Sequence, residues 1–131
     1  MSSASNPQSR KRIMVVDDEI DNSRVIMRGL EANGYSVDTF DDPVHALSNF
    51  RAGRYNLILL DIKLPNMSGL ELYARIAKID GNANVCFLTA SEPYFEQIKS
   101  SYPALDVHKC FLRKPIGLKN LLKQIELRLG N

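Results

Sequence analysis

No apolar run in the chain approaches the roughly 20 residues that cross a membrane. One of the most continuous, Leu57 to Leu60, stops at an acid. The chain does not open with the Met-Gly that myristoylation needs, and its polar beginning, MSSASNPQSRKR, carries no apolar core of the kind found in secretory signals. A cytoplasmic setting is therefore expected, with no membrane contact. Histidine is scarce: His45 and His108 have no second His or Cys at ligand spacing, which argues against a zinc site. Cysteine is scarce too, and Cys86 and Cys110 each lie in a short apolar run, where a reduced thiol acting as a small hydrophobe is expected. Nor is there an excess of one charge. Lysine and arginine total 17 against 15 acidic residues, too even a balance to argue for nucleic acid.

What remains suits one ordinary globular domain, 131 residues long with 44% hydrophobic residues. Residues 1–11 read as a flexible, basic-ended tail and 12–131 as the domain. Within the domain short β-prone runs recur: IMVV (13–16), YSVDTF (35–40), LILL (57–60), NVCFL (84–88) and CFL (110–112). Helical spacing fills the gaps. Ile26 and Leu30 mark the first helix, which Asn33-Gly34 can end, and Asp42-Pro43 offers an N-cap and first turn for the next. Leu72, Ile76 and Ile79 form a further stripe. In the C-terminal helix Leu118, Leu121, Leu122, Ile125 and Leu129 fall on one face, with Leu127 pointing away from it.

Strands alternating with helices predict an α/β fold, a doubly wound five-stranded parallel sheet with helices on both faces. Ligands of such sheets gather beyond the carboxyl ends of the strands. The residues to inspect are therefore Asp17, Asp18 and Glu19 after the first strand and Asp61 after the third. Thr89 and Ala90 follow the fourth, and Arg113, Lys114 and Pro115 the fifth. Several carboxylates on one mouth repel: a pair roughly 5 Å apart at an effective dielectric of about 20 costs about 3 kcal/mol. A hard, oxygen-preferring cation such as Mg²⁺ relieves that, and Lys114 offers a second positive charge. Asp61 could then attack a phosphoryl group as a nucleophile.

VVDDE at 15–19, LLDIKLPNMSG at 59–69, TA at 89–90 and KP at 114–115 resemble, in order and spacing, the receiver domain of two-component response regulators. The resemblance covers residues 12–129 and implies a flavodoxin-like strand order, 2-1-3-4-5. It implies that Asp61 is the phosphoacceptor, taking a phosphoryl group from a histidine kinase or phosphotransfer protein. Asp17 and Asp18 would be the acidic pair that holds Mg²⁺ with Asp61 and the backbone carbonyl of Lys63. Thr89 would be the switch hydroxyl, Lys114 the phosphoryl-contacting lysine and Phe111 the aromatic whose rotamer follows the state. The output would pass by protein contact to a downstream target, with a phosphorylation-dependent homodimer expected through a face that includes Leu127. The chain would thus be a switch rather than an enzyme. The chain departs from the family between Ala90 and Lys114, where Pro93 and Pro103 should bound a helix and glycine is missing.

Other classes fit less well. A haloacid-dehalogenase-type phosphatase also attacks with an aspartate after an apolar strand but needs an acid two residues on, where Lys63 stands. An FMN-binding domain needs a Ser/Thr/Gly-rich loop after the first strand, and DDEID would repel its phosphate. A receiver-like binding module that is never phosphorylated would not need every chemical position filled.

Overall fold

The computed structural model describes residues 10–89, 100 and 111–130. Five parallel strands form one sheet in the order β2-β1-β3-β4-β5. They are β1 (Arg12–Val16), β2 (Ser36–Phe40), β3 (Leu57–Asp61), β4 (Val85–Thr89) and β5 (Phe111–Arg113). The described helices are α1 (Ile20–Ala32), α2 (Pro43–Asn49), α3 (Gly69–Ile79) and α4 (Leu118–Leu129). None of them is long and apolar enough to cross a membrane.

The period of two along each strand divides the core in two. Ile13, Val15, Leu57 and Leu59 face the side covered by Ile26 and Leu30 of α1 and by Leu121 and Ile125 of α4. Met14, Val16, Ile58 and Leu60 face the other side, against Ala46 of α2 and Leu72 and Ile76 of α3. A strand covered on both faces must be apolar throughout, and β3 is buried at every residue. β2 lies at an edge of the sheet, and only Val37 of its five residues is buried.

The expected stop and start signals hold. Asn33 caps α1 and Gly34 follows at φ +93°, a conformation glycine takes without strain. The Asp42 carboxylate accepts from the Val44 N–H at 2.7 Å, with Pro43 opening α2. Two stripe residues depart from expectation. Leu118 is 39% exposed and Ile79 50%. Each stands at an end of its helix, where the stripe runs past the sheet that would cover it. Cys86 is also not the expected reduced thiol but is disulfide-bonded, its partner lying outside the described residues. A bias drawn from redox compartment cannot report whether two sulfurs meet in space. The helix expected between Pro93 and Pro103 likewise lies outside the described residues. At the amino-terminal side, the Lys11 ammonium donates to the Leu129 carbonyl at 3.2 Å, placing a cation at the C-terminal end of α4 where the helix dipole favours it.

Candidate functional site

Register brings the acids together. β1 pairs with β3 through Val16 and Leu60, so Asp17 and Asp61, one residue further along each, emerge side by side. β3 pairs with β4 through Asp61 and Leu88, and β4 with β5 through Thr89 and Arg113, which sets Lys114 just beyond that same edge. Carboxylate oxygens of Asp17, Asp18 and Asp61 lie within 4.8 Å of one another. Asp17 is fully buried, Asp61 is 7% exposed and Asp18 faces solvent. Asp61 is the last residue of β3 and Thr89 the last of β4, each one place nearer the sheet than the sequence runs suggested.

Lys114 bridges two of the acids. Its ammonium donates to Asp61 Oδ2 at 2.8 Å and to Asp17 Oδ2 at 3.1 Å. Asp61 Oδ1 accepts from the Lys63 N–H at 3.2 Å, and Asp17 Oδ1 from the Glu19 N–H at 3.0 Å. Burial works against the charge on Lys114, yet the hydrogen bonds and charges of Asp61 and Asp17 outweigh it and hold the ammonium above its ordinary range. Asp61 is displaced upward, first by burial and further by Asp17, with Lys114 pulling the other way.

The upward displacement of Asp61 sets a pH dependence. A carboxyl whose pKa folding raises favours the fold while protonated, and that contribution is lost as pH rises through the folded value. Ionised Asp61 therefore weighs against the metal-free fold at neutral pH. In EDTA and low salt, Asp61→Asn is expected to melt above the wild type at about pH 7 and level with it near about pH 4. Melting curves across that range check this, and an Asp61→Asn midpoint that falls below the wild type at neutral pH would contradict it.

The turn between Asp61 and α3 is built for close approach. Ser68 caps α3, accepting from the Glu71 N–H at 3.2 Å, and the Gly69 N–H donates to the Ile62 carbonyl at 2.8 Å. A Cβ on Gly69 would overlap the carbonyl oxygen of Asp61, so only glycine lets the helix seat against the acid's own backbone. Asn66 supplies the positive φ, +68°, that the turn needs. Phe111 is half-buried and stacked on Phe87, ring centroids 5.1 Å apart at 24°. Sequence reasoning missed Asn22, whose amide donates to Asp17 Oδ2 at 2.7 Å. Its signal was the spacing: five residues after Asp17, within the first turn of α1, a side chain can point back over the strand end.

Residues 13–126 match the family model of the response regulator receiver domain. The chain belongs to the response-regulator receiver family. It resembles the response regulator receiver protein CpdR of Brucella abortus, 32% identical over 91% of this chain and 97% of that protein. It is 35% identical to the uncharacterized transcriptional regulatory protein YkoG of Bacillus subtilis, over 89% of this chain but only 50% of YkoG. The receiver thus spans about half the length of some curated relatives. Among solved structures, the response regulator TrrA of Thermotoga maritima, in complex with Mg²⁺ and BeF, is 34% identical, with a TM-score of 0.77 over 91% of this chain and 99% of that one. The receiver is accordingly a phosphoacceptor module of two-component signal transduction, and its clustered aspartates form the acidic pocket typical of the family.

Proposed function

We propose that Asp61 is the phosphoacceptor and that Asp17, Asp18, Asp61 and the Lys63 carbonyl hold Mg²⁺. The observation that carries this reading is the arrangement at Asp61 itself: a shielded carboxylate with two other acids within 4.8 Å and a lysine ammonium 2.8 Å away. The donor set fits a hard cation, being all oxygen with one acid open to water. Mg²⁺ bound there would neutralise charge on an incoming phosphoryl group. A carboxylate oxygen of Asp61 attacks phosphorus, the bond to the donor's leaving atom breaks, and its electron pair departs with that atom. Lys114, already bonded to Asp61, follows the new anionic oxygens. Thr89, closing the neighbouring strand, is assigned the switch hydroxyl, and Phe111 the aromatic that responds.

This reading makes a phosphohistidine of a histidine kinase or phosphotransfer protein the donor, a downstream protein the target and the cytoplasm the setting. It takes the domain as 12–131, the domain proper beginning with β1 at Arg12. It also makes the receiver a switch rather than an enzyme, since the carboxylate that attacks is the one that carries the product. The test is incubation with acetyl phosphate and Mg²⁺ followed by intact mass: one added phosphoryl group, lost in base and absent in EDTA, is expected. No mass gain with Mg²⁺ overturns the reading.

The output face can be tested separately. Leu127 is 69% exposed on the outer side of α4. If phosphorylation drives self-association through this face, beryllofluoride with Mg²⁺ shifts the wild type to dimer in sedimentation, and Leu127→Glu raises the dissociation constant by about tenfold or more, a buried-contact loss of about 1.4 kcal/mol. A beryllofluoride-induced dimer untouched by Leu127→Glu uses another surface.

A further inference from the structure

Asp17 is an acid with no exposure to water, and a buried carboxyl needs hydrogen-bond partners for its oxygens. One oxygen is held by the Glu19 N–H. The other, Oδ2, has two donors of different kinds: the Lys114 ammonium at 3.1 Å and the Asn22 amide at 2.7 Å. Lys114 comes from a distant loop and is shared with Asp61, whereas Asn22 comes from α1, the helix that begins three residues after Asp17. α1 is itself tied back, since the buried Ser23 hydroxyl lies 3.3 Å from the Asp17 carbonyl and 3.2 Å from that of Glu19. Asn22 is thus fixed to the same backbone as the acid it holds. A cavity of about 480 Å³ opens beside it, with Asn22, Lys114, Pro115, Leu88 and Leu121 among its lining residues, which leaves room for the lysine to move.

We infer that Asn22 is a positioning residue that keeps the Asp17 carboxylate in its metal-facing orientation independently of Lys114. The inference rests on the assignment of Lys114 to the phosphoryl group. When Lys114 leaves Asp17, the amide remains as the donor on Oδ2, so the acid neither rotates nor stands half-satisfied. An amide serves here where a second cation would not: it orients the carboxylate without competing with a divalent ion for the site.

Magnesium affinity measured by titration calorimetry, with no phosphodonor present, tests it. Asn22→Ala is expected to weaken Mg²⁺ binding by about tenfold, the scale on which groups that orient a metal ligand act. Alanine favours a helix more than asparagine does, so a weakened site in this variant cannot come from a weakened α1. The decisive arm is a cycle with Lys114→Met. If either donor can hold that oxygen when the other is gone, Asn22→Ala costs several-fold more in the Lys114→Met background, where nothing else is left on Oδ2. Circular dichroism and the melting midpoint in EDTA show that each variant is folded. Equal Mg²⁺ affinity of Asn22→Ala and wild type, additive effects in the cycle, or a wild type that binds no Mg²⁺ each overturn the inference. Wild type that binds Mg²⁺ but takes no phosphoryl group from acetyl phosphate would instead refute the phosphoacceptor reading alone.

Discussion

Asp61→Asn is expected to abolish phosphorylation outright: no mass gain after hours with acetyl phosphate and Mg²⁺, where the wild type gains one phosphoryl group. Asparagine keeps the size and planarity of aspartate, and its carbonyl oxygen can still accept from the Lys63 N–H that the carboxylate holds at 3.2 Å. What disappears is the anionic nucleophile. An amide oxygen carries no full charge and is too weak a nucleophile to displace the donor's leaving group. The fold should not suffer, because the substituted acid is one that burial already disfavours when charged. Loss of labelling together with an unchanged or raised melting midpoint therefore separates chemistry from unfolding. Asp18→Asn makes the contrasting case. Asp18 is open to solvent and, in the proposed site, would help hold the metal without carrying the phosphoryl group, so labelling should slow and need more Mg²⁺ but still occur. Full labelling of Asp61→Asn, at this or any other residue, would remove Asp61 from the role.

Most of this site could be read from sequence because it lies where strands end, and strand ends are marked by a change from apolar to polar. LILLD, VVDD and FLRKP each announce such an end, and a parallel sheet brings those ends to one edge. Pairwise register then does the rest, setting Asp17 beside Asp61 without any information beyond strand identity. Helix faces were legible where the helix lies over the sheet and less so at its ends. Leu121 and Ile125 are buried as their spacing demanded, but Leu118 opens α4 at the sheet's rim, its side chain lying over Gly29 of α1. Periodicity gives direction around an axis and not distance along it from the edge of the partner.

Contacts between backbone and backbone were not legible at all. Nothing in NMSGLEL states that the first residue of α3 touches the Asp61 carbonyl, because that depends on the angle at which the helix leaves the turn. The Asn22 bond was hard to read for a related reason: an asparagine in a helix is usually a solvated residue, and its spacing from Asp17 allows the contact without requiring it. Cys86 illustrates a third kind of limit, since bridging depends on a meeting of two sulfurs that composition does not encode.

Gly69→Ala follows from the first of these hidden contacts and should be strongly destabilising. The added methyl would overlap the Asp61 carbonyl oxygen and press on the Ile62 Cα, and both are backbone atoms in or next to the buried central strand β3. A side chain could swing aside, but these atoms cannot move without breaking the ladder that pairs Asp61 with Leu88 or the 2.8 Å bond from the Gly69 N–H to the Ile62 carbonyl. Overpacking of this kind costs about 3 kcal/mol, which for a domain of this size lowers the melting midpoint by roughly 10 °C. Alanine's better helix propensity returns at most about 1 kcal/mol and does not change the sign. Gly81→Ala is the internal control, since a Cβ there meets nothing within 4 Å and its backbone angle is ordinary, so its midpoint should stay level or rise slightly. The two variants differ by one methyl at two glycines of the same chain, so the gap between their midpoints isolates the contact with Asp61. Equal midpoints for Gly69→Ala and Gly81→Ala would mean that α3 can draw back from the strand, and that the turn does not fix the position of the acid.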